Sequence, residues 1–188
     1  MASLNYLKGE LLDVVDKNDV IIGSGSRDDV HHLGFMHREI HVWLFDELKN
    51  IYFQKSPPHK SSAGLLDASI GGHVDKGEDY LSAAIRETRE ESGLLIKSSS
   101  LIFLTKFSGI SEHKKRGTVN NFIRSVYICK NPVTGDQLKH DPAETDGGFH
   151  KFSFNFLSNL SKNDTLLFHK FVPTDELPLV LNYLKNTI

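Results

Sequence analysis

Apolar positions along the N-terminal half of the chain recur mainly with a period of two. Leu11 to Asp16, a Lys17-Asn18-Asp19 turn and Val20 to Gly23 read as a hairpin over residues 10–23. Ser24 to His32 is polar, with room for one short helical turn. From His37 to Phe45, Arg38, Ile40, Val42 and Leu44 alternate with His37, Glu39, His41 and Trp43, which predicts a strand. Asp46 to Asn50 turns the chain into a second strand, Ile51 to Lys55. Ser56 to Gly64 (SPPHKSSAG) is a loop, and a short strand over Leu65 to Ile70 ends at Gly71-Gly72. The period then changes. Between Asp79 and Glu91, Leu81, Ala84, Ile85 and Thr88 fall at i, i+3, i+4 and i+7, the buried stripe of a helix that Ser92-Gly93 stops. Leu101 to Phe107 and Asn121 to Lys130 read as strands joined by a polar loop containing Glu112 and His113. A second loop, Asn131 to Asp146, leads to a strand at Phe149 to Phe154. Asp175 to Leu184 reads as a helix with Leu177, Val180, Leu181 and Leu184 on one side. Strands mixed with two or three helices predict an α/β or α+β sandwich, as one domain over residues 1–188.

Composition narrows the class of protein. The length, with 39% hydrophobic residues, supports one domain with a real core and not two comfortable ones. Twenty-two Lys and Arg against 24 Asp and Glu leave a net charge of -2, without the basic excess of a non-specific nucleic-acid binder, so no nucleic acid polymer is expected as partner. No apolar run reaches the length of a membrane span, so no membrane partner is expected either. The N-terminal MASLNYLKGELLDVVD meets acidic residues too early for a signal peptide. Cys129 is the single cysteine, so no disulfide framework exists and the cytoplasm is the expected compartment.

The candidate chemistry lies between Gly72 and Leu94, GHVDKGEDYLSAAIRETREESGL. At about 100° per residue, Glu87, Glu90 and Glu91 fall within an arc of roughly 100° beside the buried stripe. Three carboxylates so close repel one another unless a positive charge sits among them. Arg86 and Arg89 offer some relief, although Arg86 projects toward a different part of the wheel. A hard divalent cation would neutralise the cluster directly, and Mg²⁺ is typically held by carboxylates together with substrate phosphates. Gly71-Gly72 and Gly77 let backbone approach a ligand. Glu78, where the helix begins, is favoured by the helix dipole and can pair with Arg86 two turns later.

This spacing resembles the Nudix box, G-x5-E-x7-R-E-U-x-E-E-x-G-U with U apolar. Gly72, Glu78, Arg86, Glu87, Glu90, Glu91 and Gly93 match its fixed positions, and the one departure is Thr88 at the first U. Seven such matches arise by chance on the order of once per million chains of this size. The resemblance implies an α/β/α sandwich whose mixed β-sheet carries the box as a loop-helix-loop at residues 72–94. It also implies metal-dependent hydrolysis of a diphosphate, with Mg²⁺ or Mn²⁺ as cofactor and a small-molecule diphosphate as substrate. Carried over by position, Glu87, Glu90, Glu91 and the Gly72 carbonyl would be metal ligands, and Arg86 would orient the glutamates through a salt bridge with Glu78. Glu87 is the leading candidate for the base that deprotonates the attacking water; Glu112 and Glu144 are candidates outside the box.

A second resemblance spans Leu11 to Leu94. LLDVVD, DDVHHLGFMHREIHVWLF and QKSPPHKSSAGLLDASIGGHVDKGE are similar, in that order, to isopentenyl-diphosphate isomerase and the isomerase-like Nudix hydrolases. The isomerase needs a cysteine just before its Gly-His pair, where this chain has Gly71. Its box is degraded, whereas this one is intact. Both departures imply a hydrolase on the isomerase-like scaffold; the alternatives are the isomerase itself and a non-catalytic ligand-binding module. His37 and His73 match histidines that hold a metal in the isomerase. His37 and His41, roughly 13 Å apart on a strand, cannot share one ion. Lys55, His59 and Lys60 fall on the segment that touches diphosphate in the isomerase, as candidate substrate-binding residues. Trp43 is expected in the core, His31-His32 receives no role, and the protein is expected to be a monomer or homodimer.

Overall fold

The computed structural model describes residues 10–58, 62–113, 116–140 and 146–187. The strands are β1 (Leu11–Val15), β2 (Ile21–Ser26), β3 (Met36–Trp43), β4 (Ile51–Lys55), β5 (Leu66–Asp67), β6 (Ile70–His73), β7 (Leu101–His113), β8 (Thr118–Cys129) and β9 (Phe149–Phe152). The α-helices are α1 (Arg27–Leu33), α2 (Tyr80–Ser92), α3 (Phe154–Ser158) and α4 (Leu177–Thr187), the last entered through a π-helical turn at Val172–Glu176. Among the described residues no helix is long and apolar enough to cross a membrane.

The alternating run around residue 40 forms the middle of the main sheet, ordered β2-β1-β3-β8-β7 with β6 also on β3. β8 lies parallel to β3, while β1 and β6 lie antiparallel to it, so this is the mixed sheet expected. A smaller sheet, β5-β4-β9, is antiparallel. Both faces of β3 are covered. Ile40, Val42 and Leu44 meet Ala83 and Ala84 of α2, whereas Trp43 joins Val126, Ile128 and the α4 residues Leu177, Val180 and Leu184. The β1–β2 turn forms because Asp16 Oδ1 accepts the Asn18 and Val20 amides at 2.8 and 3.0 Å; Asp46 repeats the device before β4 with Leu48 and Asn50.

Several boundaries differ from expectation. β2 continues to Ser26, whose side chain then caps α1. The expected strand at Leu65 to Ile70 divides into β5 and β6 because Ser69 turns inward and donates to the Tyr52 carbonyl while accepting from Leu44 N at 2.8 Å. Gly71-Gly72 therefore lies within β6, not past its end. The β7–β8 ribbon is longer than the apolar pattern, so Glu112 and His113 are strand residues and not loop residues. β9 stops at Phe152, since Ser153 accepts the Phe156 amide and opens α3. In α2 the buried positions are Ala83, Ala84, Thr88 and Ser92, with Leu81 and Ile85 only half-buried. Small residues face the sheet, so the helix sits close to it. The Thr88 and Ser92 hydroxyls donate to the carbonyls four residues back, which explains a threonine at an apolar position of the pattern.

On the Trp43 face of the sheet, β8 places Arg124 beside Glu39. Arg124 Nη2 donates to Glu39 Oε2 at 2.7 Å and Nη1 to Glu176 Oε1 at 3.0 Å, and all three residues are buried. Removing the guanidinium leaves two buried carboxylates without their cation. Arg124→Met is expected to lower unfolding stability by about 3–5 kcal/mol in urea melts at neutral pH; a loss below about 1 kcal/mol would show that water, not Arg124, satisfies these groups.

Candidate functional site

The local chemistry of α2 builds the site. Asp79 caps the helix by accepting Leu81 N and Ser82 N at 2.9 and 3.0 Å, and Gly93 ends it at φ 71°. Within it the carboxylates fan outward from the sheet. Glu91 is held in the wall, accepting Gln54 Nε2 at 2.8 Å and Gly71 N at 3.2 Å. Glu87 is next, with its side chain 13% exposed, and Glu90 is outermost at 48%. Arg86 does not point away from this group, as its wheel position suggested, because the long side chain curls back. Its Nη1 reaches Glu87 Oε1 at 2.7 Å and Glu90 Oε2 at 3.3 Å, while Nη2 reaches Glu78 Oε2 at 2.8 Å and the His73 carbonyl at 2.9 Å. The Arg86–Glu78 ion pair implied by the box is present.

A Cβ at position 72 would stand 2.2 Å from the Glu87 carboxyl, so any side chain there would displace that carboxylate. Burial, reinforced by Glu90 and Glu10 and opposed by Arg86, lifts Glu87 from 4.5 to about 7. Arg86 itself is held further toward its charged form, burial notwithstanding, by Glu78 and Glu87. Three carboxylates, Glu78, Glu87 and Glu90, gathered around one guanidinium, with Glu91 beside them and Glu87 pushed up to about 7, are a donor set that fits a hard divalent cation, with Gly72 close enough to add backbone.

A second cluster stands beside the first. His31, His37 and His73 bring one nitrogen each to within 4.8 Å of one another, with His31 Nε2 3.1 Å from His73 Nε2. His73 Nδ1 meets Glu10 Oε1 at 2.9 Å, and Glu10 is held down to about 2, against its burial, by His73 and Arg27. His37 Nδ1 donates to the Phe35 carbonyl at 3.1 Å; its buried Nε2, 3.7 Å from Glu39 Oε1, has no hydrogen-bond partner, nor has Asn120 Oδ1. Burial and the two neighbouring imidazoles lower His31 to about 4, so it presents a lone pair at neutral pH. Three convergent imidazoles suit a borderline transition metal. His31 went unread in the sequence because the left-handed Gly34, at φ 67°, folds α1 back over β3 and closes a six-residue gap.

Both clusters line one cleft of about 1630 Å³. Other assignments fare differently. Lys55 lies just before the cleft residue Ser56 but binds Asp146 at 2.9 Å, and His59, Lys60 and Glu144 fall outside the described residues. Glu112 alternates away from the cleft, which Ser111 and His113 line instead. His41, weighed from sequence only as an unsuitable ligand pair with His37, and Asp67, Glu176 and His169, not singled out there, form part of the buried or cleft-facing polar wall. Trp43 is fully buried as expected, with Nε1 on Glu176 at 3.1 Å.

The raised Glu87 has a definite sign for stability. Its carboxyl holds a proton in the folded chain between 4.5 and about 7 that the unfolded chain has lost, so its contribution to stability is complete below 4.5 and lost as pH rises through about 7. Mn²⁺ is therefore expected to raise the melting temperature more at pH 8 than at pH 6. At pH 6 its binding should release a proton, read as a heat that changes with the buffer's ionisation enthalpy. Equal heats in all buffers would contradict the assignment.

Comparisons with known proteins agree with this geometry. A family model described as NUDIX domain matches residues 36–169. Isopentenyl-diphosphate Delta-isomerase 2 of Photorhabdus laumondii is 41% identical over 98 residues, covering 50% of this chain and 55% of that protein. An uncharacterised Nudix hydrolase of Clostridium acetobutylicum is 36% identical over 100 residues, covering 51% of this chain and 48% of that protein. The chain thus spans about half the length of these curated relatives. A Deinococcus radiodurans crystal structure superimposes with a TM-score of 0.61 at 23% identity, over 84% of this chain and 97% of that one, a likeness of fold. With that model matched across most of its length, the chain belongs to the Nudix family.

Proposed function

We propose that this protein is a Mg²⁺- or Mn²⁺-dependent hydrolase that cleaves the diphosphate linkage of a nucleoside diphosphate derivative or a similar small phosphorylated metabolite in the cytoplasm. The observation that carries the reading is the complete box, with Glu87 against Gly72, Glu87 and Glu90 bridged by Arg86 to Glu78, and Glu91 held at the Gly71 amide. A bound divalent cation supplies charge neutralisation on the diphosphate and Lewis acidity. Glu87, Glu90, Glu91 and the Gly72 carbonyl would hold it. Arg86, anchored at both ends, fixes where the Glu87 and Glu90 carboxylates point. Gln54 and the Gly71 amide do the same for Glu91. With a value near 7, Glu87 suits a general base at neutral pH. It takes a proton from water as the water oxygen bonds to phosphorus and the bridging P–O bond breaks, the bridge oxygen leaving on the other phosphate.

The isomerase alternative has relatives of that name behind it. Against it stands the space next to the box. Gly71 carries no thiol, and a Cβ there would meet His41 Cδ2 at 3.0 Å, so a cysteine would require the imidazole to give by a few tenths of an ångström. Cys129 is buried in the core that packs under α2.

The deciding assay is phosphate release, through a coupled phosphatase, from nucleoside di- and triphosphates, nucleotide sugars, dinucleotides and isoprenoid diphosphates, with Mg²⁺ or Mn²⁺ and with EDTA. Hydrolysis is expected only with metal. The Glu90→Gln/Glu91→Gln double variant should lose at least about a hundredfold. Glu78→Gln, which frees Arg86, should weaken Mn²⁺ binding by about 10–100-fold. Full activity in the double variant would remove the box from the chemistry. Deuterium entering isopentenyl diphosphate would favour the isomerase, and saturable binding without turnover a ligand-binding module.

A further inference from the structure

The loop between β6 and α2 decides where Arg86 ends. Arg86 Nη2 donates to Glu78 Oε2 at 2.8 Å and to the His73 carbonyl at 2.9 Å, and Nε reaches Glu78 Oε1 at 3.2 Å. These acceptors bracket the loop, so the guanidinium is only as well placed as residues 73–78. Packing does little to hold the turn. Lys76 and Gly77 are exposed, and a Cβ at Gly77 would meet nothing within 4 Å.

Strand β1 holds it instead. Leu12 bridges Asp75, and the Leu11 carbonyl accepts Lys76 N at 2.8 Å. Asp13 Oδ2 accepts Gly77 N at 2.8 Å. Glu10, just ahead of the strand, meets His73 Nδ1 at 2.9 Å. β1 is itself fixed between β2 and β3, so these contacts tie the loop to the main sheet.

Asp13 is the unexpected member of this group. It is the one polar residue in the buried run Leu12 to Val15, where an apolar side chain would avoid the cost of desolvating a carboxylate. What that carboxylate does is reach an amide of the exposed turn. Gly77 stands at φ 78° and the next residue is Glu78. Glu78 N in turn donates to the Asp75 carbonyl at 2.9 Å, and Asp75 N to Glu78 Oε2 at 3.2 Å. Holding Gly77 therefore fixes the start of the arm that Glu78 extends to Arg86.

We propose that Asp13 is a positioning residue for the metal site. It holds the Gly77 amide and so places Glu78; Glu78 places Arg86, and Arg86 places the Glu87 and Glu90 carboxylates. This rests on the diphosphate-hydrolase reading, and it extends the site to a strand ahead of the residues that the family model matches.

The test is Mn²⁺ binding to the full chain by calorimetry, counting the binding that the Glu90→Gln/Glu91→Gln double variant removes. Asp13→Ser shortens the side chain beyond reach of Gly77, and Asp13→Val fills the space with an apolar group. Each should weaken Mn²⁺ about tenfold. Asp13→Asn keeps an acceptor oxygen and should stay within about threefold. Adding Asp13→Val to Glu78→Gln should cost less than about twofold beyond Glu78→Gln alone, because both changes act on one arm. A merely structural role would make the two losses multiply. The inference is overturned if Asp13→Ser and Asp13→Val, folded by circular dichroism, bind Mn²⁺ as the unchanged protein does. It is overturned equally if Asp13→Asn loses as much as Asp13→Val, if the losses multiply, or if neither Asp13→Ser nor Asp13→Val folds, which would make Asp13 a residue of the core. An unchanged protein without Mn²⁺ binding that depends on Glu90 and Glu91 would be the separate failure of the hydrolase reading, and would take this inference with it.

Discussion

The missing side chain at position 72 is the constraint on which the site depends. A Cβ there would stand 2.2 Å from the Glu87 carboxyl, so the bare strand is what leaves that carboxylate its place where α2 packs on β6. Close approach has two results. It drives Glu87 and Glu91 into the sheet wall, where burial makes a carboxylate costly to keep charged. It also selects Ala83, Ala84, Thr88 and Ser92 as the residues facing the sheet, since nothing larger fits beneath a helix held so near. The glycines and the small helix face are one feature seen from two elements.

β3 shows how the same strand serves both stability and chemistry. On one face Ile40 and Val42 pack under α2, with Arg38 nearer the start of the strand. The other changes character along its length: His37, Glu39 and His41 are polar, and Trp43 is apolar beneath α4. The polar half is almost as buried as the apolar half, which requires partners. Arg124 supplies them from the parallel neighbour by answering Glu39 and Glu176 together, and His41 closes the network. A buried ionic network of this kind adds little net stability. What it does is hold several side chains in fixed orientations along one wall of the cleft.

The sequence was legible wherever the determinant is local. The hairpin, β3, β4, α2 with its stop at Gly93, and α4 follow from periodicity and turn residues, and the box from spacing. Reading failed where partners are remote in the chain. Glu176 is 135 residues from His41, and nothing near it in sequence marks it as the seat of an imidazole. His31 looked like an isolated histidine because its approach to His37 and His73 depends on one left-handed glycine between helix and strand. The wheel placed Arg86 by its Cα, whereas a guanidinium on three methylenes goes where the charges are. The β7–β8 ribbon outran its apolar residues because hydrogen bonding to a partner strand, not burial, keeps Glu112 and His113 extended.

The placement of the carboxylates carries the last argument. Glu90 and Glu91 occupy the final turn of α2, where unsatisfied carbonyls already concentrate negative charge. A carboxylate there opposes the helix dipole, by roughly 0.3–1 kcal/mol for each exposed group. Basic residues would serve this position better, and Arg89 is the only one in that turn. Arg86 can answer only part of the charge, since its guanidinium is shared among Glu78, Glu87 and Glu90. The helix is thus built against its own stability at one end, in the same place where the backbone is stripped to glycine. A cation seated there would reverse the sign of every one of these terms, because the carboxylates, the C-terminal carbonyls and a substrate diphosphate all favour it. Binding free energy would then return as folding stability what the apo chain forgoes.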